Sequence, residues 1–362
     1  MDTVTQFALG AAVGTAVLGR QMGVRKAAIA GGLLGTLPDL DVYWPYADAV
    51  ESYVLHRSVT HSLIVQAVVT PIFAEGLRLL FRSLREHRWR SYLAVFLCFA
   101  THALLDSVTI YGTQLFWPLS REPVGLGSVF IIDPLYTLPL IAAFLWAVIG
   151  NRWTPRFATM LTAALVVSTL YLGWSVVAQQ ITAMRAKEQL AKANIPADRL
   201  FATPTPFNTL FWRVVVLNGP RYYNLYIPLL GEEDAITAYQ HARQPVSAEC
   251  LQRNLYVKTV SAFTDGFYRF DAMGAAVVMS DLRMGLTPSY VFRFVVAEHG
   301  TAGRAGDVPR RVHSQRGAPG DLDWILDGVL GQRAIRPVEA AARIDLQRIE
   351  TTIAMGETAL TC

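Results

Sequence analysis

The chain of 362 residues is 52% hydrophobic and only 17% charged, and its mean hydropathy is +0.32. Soluble domains usually carry about 25% charged residues, so this composition argues against an ordinary soluble protein and points to a membrane. The net charge of +4 does not predict nucleic-acid binding, because the arginines cluster in short segments between apolar runs.

Six apolar segments occupy the first half of the chain and predict six helices. They cover residues 4–19, 27–41, 62–81, 91–110, 129–150 and 157–179. The last four are about 20 residues long, which is enough to cross the hydrocarbon core of a bilayer. The first two are shorter, and each contains a pair of glycines four residues apart, Gly10/Gly14 and Gly31/Gly35, that favours close helix packing.

Basic residues between these segments predict the orientation in the membrane. One set of loops carries Arg20, Arg25, Lys26, Arg82, Arg85, Arg88, Arg90, Arg152 and Arg156, whereas the opposite loops carry only Arg57 and Arg121. Loops rich in Lys and Arg face the cytoplasm. Six spans then place the rest of the chain on the other side of a bacterial inner membrane.

The second half of the chain reads as a separate domain. Residues 1–180 hold the long apolar runs, and residues 181–362 have the composition of a soluble domain. Alternating and β-branched residues around 203–230 and 274–298 predict strands, and the periodicity after residue 327 predicts a closing helix. The fold class is therefore an α-helical integral membrane domain of about six helices, followed by a small extracytoplasmic α+β domain.

Acidic and imidazole side chains gather at the outer ends of four predicted segments, where ionisable groups are costly and usually functional. His102 and Asp106 are four residues apart and so share one helical face. The whole set comprises Asp39, Asp41, His56, Arg57, His61, His102, Asp106 and Asp133. Each has a structural alternative, such as a helix cap for Asp133, but their convergence at one depth favours a metal or catalytic site.

The residue types indicate the chemistry of this site. Carboxylates and imidazoles without a nearby thiolate suit a divalent ion, with zinc the first choice and manganese the second. Arg57 beside His56 suits recognition of a phosphate or another oxyanion, because a guanidinium binds such groups through two hydrogen bonds. Asp39 or Asp133 could serve as general base or orient a ligand histidine, and His56 completes the candidate catalytic set.

The motifs GLLGTLPDLDV, HRSVTHSL, THALLDSVTIYGTQLFWP and IDPLYTLPL resemble a family of bacterial membrane-bound, metal-dependent hydrolases typified by the inner-membrane protein YdjM. The resemblance covers the membrane half, with Ser58 in place of a common glycine and Gln6 in place of a common histidine. It also implies a distant similarity to zinc-dependent phospholipases C. On that analogy the metal ligands would be Asp41, His61, His102 and Asp106.

The leading hypothesis is a membrane-embedded hydrolase that uses a divalent metal to cleave an ester or phosphoester at the outer face of the membrane. A site at this boundary favours membrane lipids or another amphipathic, phosphate-containing substrate. The alternative is a transporter or ion-binding membrane protein without hydrolase activity. A transporter should carry polar residues on both sides of the membrane, often in repeated halves, whereas here they cluster on one side. A third reading is an assembly protein with a purely structural metal.

Overall fold

The computed structural model describes residues 1–243, 251, 253–298, 308–315 and 317–346. The chain divides into two compact units, and the boundary of the first at Val176 lies close to the composition change at residue 180. The first unit comprises Met1–Pro45, Leu55–Val176 and Pro206–Asn208, and the second comprises Tyr46–Val54, Val177–Thr205 and the described residues from Thr209 onward.

The first unit is helical, and its six long helices occur where the six apolar segments predict them. The α-helices of the chain up to residue 192 are α1 (Thr3–Met22), α2 (Val24–Thr36), α3 (Ala49–Leu55), α4 (Leu63–Leu80), α5 (Arg88–Ser107), α6 (Pro134–Gly150) and α7 (Pro155–Lys192). A seven-residue 3₁₀ helix covers Leu37–Tyr43, and single 3₁₀ turns cover Val59–His61 and Arg82–Leu84. Helix α7 continues into the second unit, and α3 belongs mostly to it.

The expectation of six membrane spans is corrected by the lengths and composition of the described helices. Only α4 and α7 are long and apolar enough to cross a bilayer, and α6 is apolar but has 17 residues. Helix α2 has only 13 residues, and α5 begins with the charged sequence RWR. Both α4 and α7 expose most of their apolar windows, as helices that face lipid do.

Helices α1 and α2 pack backbone against backbone through the predicted glycine pairs. A Cβ atom on Gly14 would lie 2.7 Å from Gly31 Cα, and one on Gly35 would lie 2.7 Å from the carbonyl oxygen of Gln6. No larger side chain fits at this crossing. The close packing fixes the C-terminal end of α2, from which the 3₁₀ helix Leu37–Tyr43 continues.

The second unit contains antiparallel sheets and short helices, in agreement with an α+β domain. The strands are β1 (Arg199–Pro204), β2 (Phe211–Asn218), β3 (Arg221–Pro228), β4 (Thr237–Ala242), β5 (Tyr268–Met273), β6 (Ala276–Asp281), β7 (Gly285–Leu286), β8 (Ser289–Tyr290), β9 (Arg293–Glu298), β10 (Arg310–Arg311) and β11 (Arg343–Ile344). They form sheets of order β1-β2-β3-β4-β11, β10-β9-β6-β5 and β7-β8. The other helices are α8 (Leu255–Phe263), α9 (Asp321–Val329) and 3₁₀ turns at Glu233–Ala235 and Pro337–Ala342.

The predicted closing helix is replaced by shorter elements. Helix α9 ends at Val329, and a left-handed Gly331 follows. Pro337 then begins a 3₁₀ turn, and Arg343–Ile344 pairs with β4 as a strand. A positive φ at glycine and a proline nearby stop a helix even where the apolar periodicity continues. The predicted residues after 346 lie outside the described part.

A buried polar network crosses the five-stranded sheet around Glu339. Its carboxylate accepts hydrogen bonds from Tyr226 Oη at 2.6 Å, from His241 Nε2 at 2.8 Å and from Arg336 at 3.0 Å. Burial raises the pKa of Glu339, but these partners outweigh it and hold the pKa at about 2. The His241 side chain is mostly buried, because it pairs with this distant carboxylate.

Candidate metal centre

Three segments of the first unit bring four metal-ligating side chains together. The 3₁₀ helix Leu37–Tyr43 supplies Asp39, the 3₁₀ helix Val59–His61 supplies His61, and the last turns of α5 supply His102 and Asp106. One ligand atom from each residue lies within 4.8 Å of the other three. His61, His102 and Asp106 are buried, and Asp39 retains 22% of its side-chain exposure. Residues separated by more than 60 positions in the chain therefore share one centre.

The distances between these ligand atoms are short and nearly uniform. His61 Nε2 lies 3.0 Å from His102 Nε2, 3.2 Å from Asp106 Oδ2 and 3.4 Å from Asp39 Oδ1. His102 Nε2 lies 3.4 Å from Asp106 Oδ2 and 3.5 Å from Asp39 Oδ1. Ligand atoms about 2.0–2.1 Å from a tetrahedral ion are separated by roughly 3.3 Å. The five distances thus match the edges of a tetrahedral coordination shell.

Hydrogen bonds on the far side of each imidazole fix which ring nitrogen carries the proton. His102 Nδ1 lies 2.6 Å from the carbonyl oxygen of Gly35, which can only accept, so Nδ1 is the donor. The Thr60 hydroxyl donates to Asp41 Oδ2 at 2.9 Å and therefore accepts from His61 Nδ1, also at 2.9 Å. In the neutral rings both Nε2 atoms consequently present lone pairs to the centre, as ligand histidines do.

The centre therefore gathers electron-rich atoms without a donor among them. Asp106 Oδ2 is buried and accepts no hydrogen bond. Two imidazole lone pairs and two carboxylate oxygens repel one another at these distances, and a buried oxygen without a hydrogen bond is costly. A divalent cation satisfies all four atoms, and two carboxylates with two neutral imidazoles would balance its charge. The donor set, free of thiolates, fits zinc or manganese.

The fourth member of the group is Asp39, whereas the sequence prediction assigned the ligand role to Asp41 and a base role to Asp39. Asp41 lies instead near Nδ1 of His61, away from the Nε2 atom that faces the centre. Its Oδ1 lies 2.8 Å from His56 Nδ1, and its Oδ2 accepts from Thr60 and from the backbone N–H of Arg57 at 3.1 Å. Asp41 is thus placed to orient His61 and His56.

Hydrogen bonds also set the charge of these two carboxylates, which lie outside the helices long enough to span a membrane. Burial raises the pKa of Asp39, but when the imidazoles of His102 and His61 are protonated, their hydrogen bonds and positive charge outweigh it and lower the pKa well below its usual range, and a bound cation would act in the same direction. Burial likewise raises the pKa of Asp41, and its hydrogen bond to His56 brings the pKa below the ordinary value. Both groups are therefore anionic at neutral pH.

Arg57 lies against the centre in an unusual backbone conformation. Its φ is 65°, in the left-handed region, and the side chain is buried beside Asp106, with Nε 3.2 Å from Oδ2. One terminal nitrogen donates to the Thr109 hydroxyl at 3.1 Å, whereas Nε has no hydrogen-bond partner. The next residue, Ser58, has φ −100°, which a residue with a side chain adopts readily, so the structure does not require glycine at this position. Strain held beside reactive groups is typical of functional sites.

The second carboxylate oxygen of Asp106 is held by the start of the chain. Gln6 Nε2 donates to Asp106 Oδ1 at 3.1 Å and to the carbonyl oxygen of His102 at 3.3 Å. The amino group of Met1 forms an ion pair with the same oxygen. Gln6 therefore orients a candidate metal ligand in this chain.

Asp133 lies outside the four-residue group. It is the N-cap of α6: Oδ1 accepts from the backbone N–H groups of Leu135 and Tyr136, and Oδ2 accepts from Tyr171 Oη at 2.7 Å. Both oxygens are thus engaged in structural hydrogen bonds, which match the capping alternative. The role of general base at Asp133 stays a prediction.

Sequence reasoning missed two contributors to the centre, Thr60 and Gly35, and identified Gln6 only as a replacement for histidine. Thr60 and Gln6 hydrogen-bond to its members through their side chains, and Gly35 does so through its carbonyl oxygen. The position of Thr60, immediately before His61 in HRSVTH, was an available signal. A backbone carbonyl leaves no signal in the residue type, so Gly35 could be found only from coordinates.

Comparison with known proteins finds a family profile that matches the first half of the chain. The family profile described as YdjM inner membrane protein matches residues 1–182. The uncharacterized protein YfhP of Bacillus subtilis (strain 168) is 25% identical over 233 residues, which cover 62% of this chain and 67% of YfhP. No solved structure matches the chain significantly.

Proposed function

This chain belongs to the YdjM inner membrane protein family, and we propose that it is a membrane-embedded hydrolase that uses a divalent metal ion to cleave an ester or phosphoester. The observation that carries the proposal is the convergence of two imidazole lone pairs and two carboxylate oxygens around one point, with Asp106 Oδ2 lacking a hydrogen bond. Asp39, His61, His102 and Asp106 would hold the ion. When bound, such an ion lowers the pKa of water and polarises a carbonyl or phosphoryl oxygen.

The neighbouring side chains supply the remaining roles. The Asp41 carboxylate holds the proton of His56 on Nδ1, so Nε2 of this partly exposed ring is left to accept a proton from water or return one to a leaving group. The His56 ring centroid lies 5.9 Å from that of His61, close enough to serve the same reaction. Arg57, whose Nε has no hydrogen-bond partner, would bind an oxyanion of the substrate.

We also propose the membrane orientation that the basic loops indicate, with several spans and the second unit outside the cytoplasm. The arginine-rich turn between α4 and α5 would face the cytoplasm, and the metal centre lies near the opposite ends of both helices. Labelling of cysteines introduced on either side, in intact cells, tests this orientation. Modification of position 86 but not of position 322 by an impermeant reagent would contradict it.

The first experiment measures metal content and activity together. The purified full chain should carry a divalent metal that is lost in His61→Ala, His102→Ala and Asp106→Asn. His87→Ala is the matched control, because the hydrogen bonds that the structure gives for His87 involve its backbone N–H and carbonyl oxygen and not its side chain. Hydrolysis of bis-p-nitrophenyl phosphate or p-nitrophenyl acetate should stop with a chelator and return with zinc or manganese.

The outcomes separate the candidate functions. Equal metal content in the unmodified chain and in all four variants would show that these side chains do not hold the ion, and would refute the metal centre. Metal that is lost in the three variants, without hydrolysis of any ester, would favour the ion-binding alternative. Loss of metal and activity together supports the hydrolase.

A further inference from the structure

The segment that supplies Asp39 also exposes a run of apolar side chains. Leu40, Val42, Tyr43 and Trp44, which we term the apolar rim, are 54%, 60%, 82% and 69% exposed. Asp41, within the same run, keeps only 7% of its side-chain exposure. The carboxylates thus point into the protein and the apolar side chains point out. This is the reverse of the arrangement expected for a loop in water.

The apolar rim lies at the level where a candidate membrane span begins. Helix α4 starts at Leu63, two residues after His61, whose ring is 3.4 Å from Asp39. The N–H of Leu63 also donates to the carbonyl oxygen of Leu115 at 3.0 Å, so the segment that carries the exposed Phe116 shares this level. Tyrosine and tryptophan are enriched where a span meets the headgroups of a bilayer.

We propose that the apolar rim inserts into the headgroup layer of the membrane and that the metal centre takes its substrate, a lipid phosphoester, from that layer. Asp39 is the most exposed member of the centre, so the centre opens beside Leu40 and the rim. The four side chains of the rim are uncharged, and the exposed apolar face of α4 begins at the same level, which favours lipid over a polar protein partner. The identity of the substrate rests on the proposed hydrolase function, whereas the insertion of the rim does not.

The first test measures the depth of the rim without reference to activity. A nitroxide is attached at Trp44→Cys, and in a second sample at Leu322→Cys, in the full chain without its three native cysteines and reconstituted in lipid nanodiscs. Leu322 is an equally exposed residue of α9 in the second unit, at 69%. The label at position 44 should be more accessible to oxygen than to a water-soluble nickel chelate. Nickel accessibility equal to that at position 322 would overturn the proposal.

The second test asks whether the rim serves a lipid substrate. The double variant Tyr43→Ser/Trp44→Ser should lose about tenfold of the hydrolysis rate on phosphatidylglycerol vesicles, because two apolar anchors leave the interface. Its rate on soluble bis-p-nitrophenyl phosphate should be unchanged. Trp89→Ser is the control, since Trp89 is 79% exposed at the other end of α5. An equal loss of rate on both substrates would overturn the role of the rim. Absence of hydrolysis by the unmodified chain would refute the hydrolase function. The insertion of the rim would still be decided by the accessibility of the nitroxide at position 44.

Discussion

The hydroxyl of Thr60 is the connection whose removal tests the metal centre most directly. It accepts from His61 Nδ1 and donates to Asp41 Oδ2, both at 2.9 Å, and so keeps the Nε2 lone pair of His61 directed at the centre. Thr60→Val preserves the shape of the side chain and removes both hydrogen bonds. Loss of a group that orients a ligand histidine typically weakens metal binding about 10- to 100-fold, or roughly 1.4–2.7 kcal/mol.

The structure indicates that the loss of metal affinity in Thr60→Val lies at the lower end of this range. His61 Nδ1 lies 3.7 Å from Asp41 Oδ2, so a small movement gives it a direct partner when the hydroxyl is gone. We therefore expect Thr60→Val to bind zinc about tenfold more weakly and Thr60→Ser to bind it as the unmodified chain does. Competition with a chelating dye, on detergent-purified protein, measures this affinity.

A matched substitution separates this effect from a general loss of packing. The hydroxyl of Thr70 on α4 donates only to the carbonyl oxygen of Gln66, away from the centre. Thr70→Val should leave zinc affinity unchanged. Equal affinities for Thr60→Val and the unmodified chain would refute the assignment of the His61 proton to Nδ1, and with it the argument that lone pairs converge.

Three further predictions concern packing, acid stability and substrate recognition. Gly35→Ala places a Cβ 2.7 Å from the Gln6 carbonyl oxygen and should cost about 1–3 kcal/mol in a denaturant titration, whereas Gly76→Ala, with open space around it, should not destabilise. The pKa of Glu339, about 2 against an ordinary 4.5, contributes up to about 3 kcal/mol at neutral pH. Because this pKa is lowered on folding, the contribution is present above pH 4.5 and is lost as the pH falls towards 2; acid unfolding unchanged by Glu339→Gln would contradict it. Arg57→Lys should retain metal but lose at least about tenfold of phosphodiester hydrolysis, since a lysine cannot make a paired hydrogen bond. Loss of metal would instead assign Arg57 to stabilising Asp106.

Local spacing accounts for the parts of the centre that the sequence predicts. His102 and Asp106 share a helical face because four residues make about one turn, and the structure brings both atoms to the centre. The glycine pairs of α1 and α2 are likewise a regular helical spacing, and they pack as predicted. Both are features of a regular helix, whose side-chain directions follow from residue number alone.

The choice between Asp39 and Asp41 shows where that reasoning stops. Extending the apolar segment to residue 41 assumes a helix of 3.6 residues per turn, whereas the chain tightens into a 3₁₀ helix at Leu37, after α2 ends at Thr36. With fewer residues per turn the directions of successive side chains change. Asp39 points at the rings of His61 and His102, whereas Asp41 points at the ring of His56. Sequence alone identifies the pair but not which of them faces the centre.

Contacts between distant segments also limit what the sequence can predict about the second unit. His241 and Glu339 are 98 residues apart, and neither has a neighbour in sequence that marks it as buried. A histidine on a short strand, in a domain with many charged residues, is normally placed at the surface. Here the carboxylate that makes burial possible comes from a 3₁₀ turn near the end of the described chain. Pairing with a remote partner, and not the residue itself, decides whether a polar group is buried. Such networks can therefore be identified only when the fold is known.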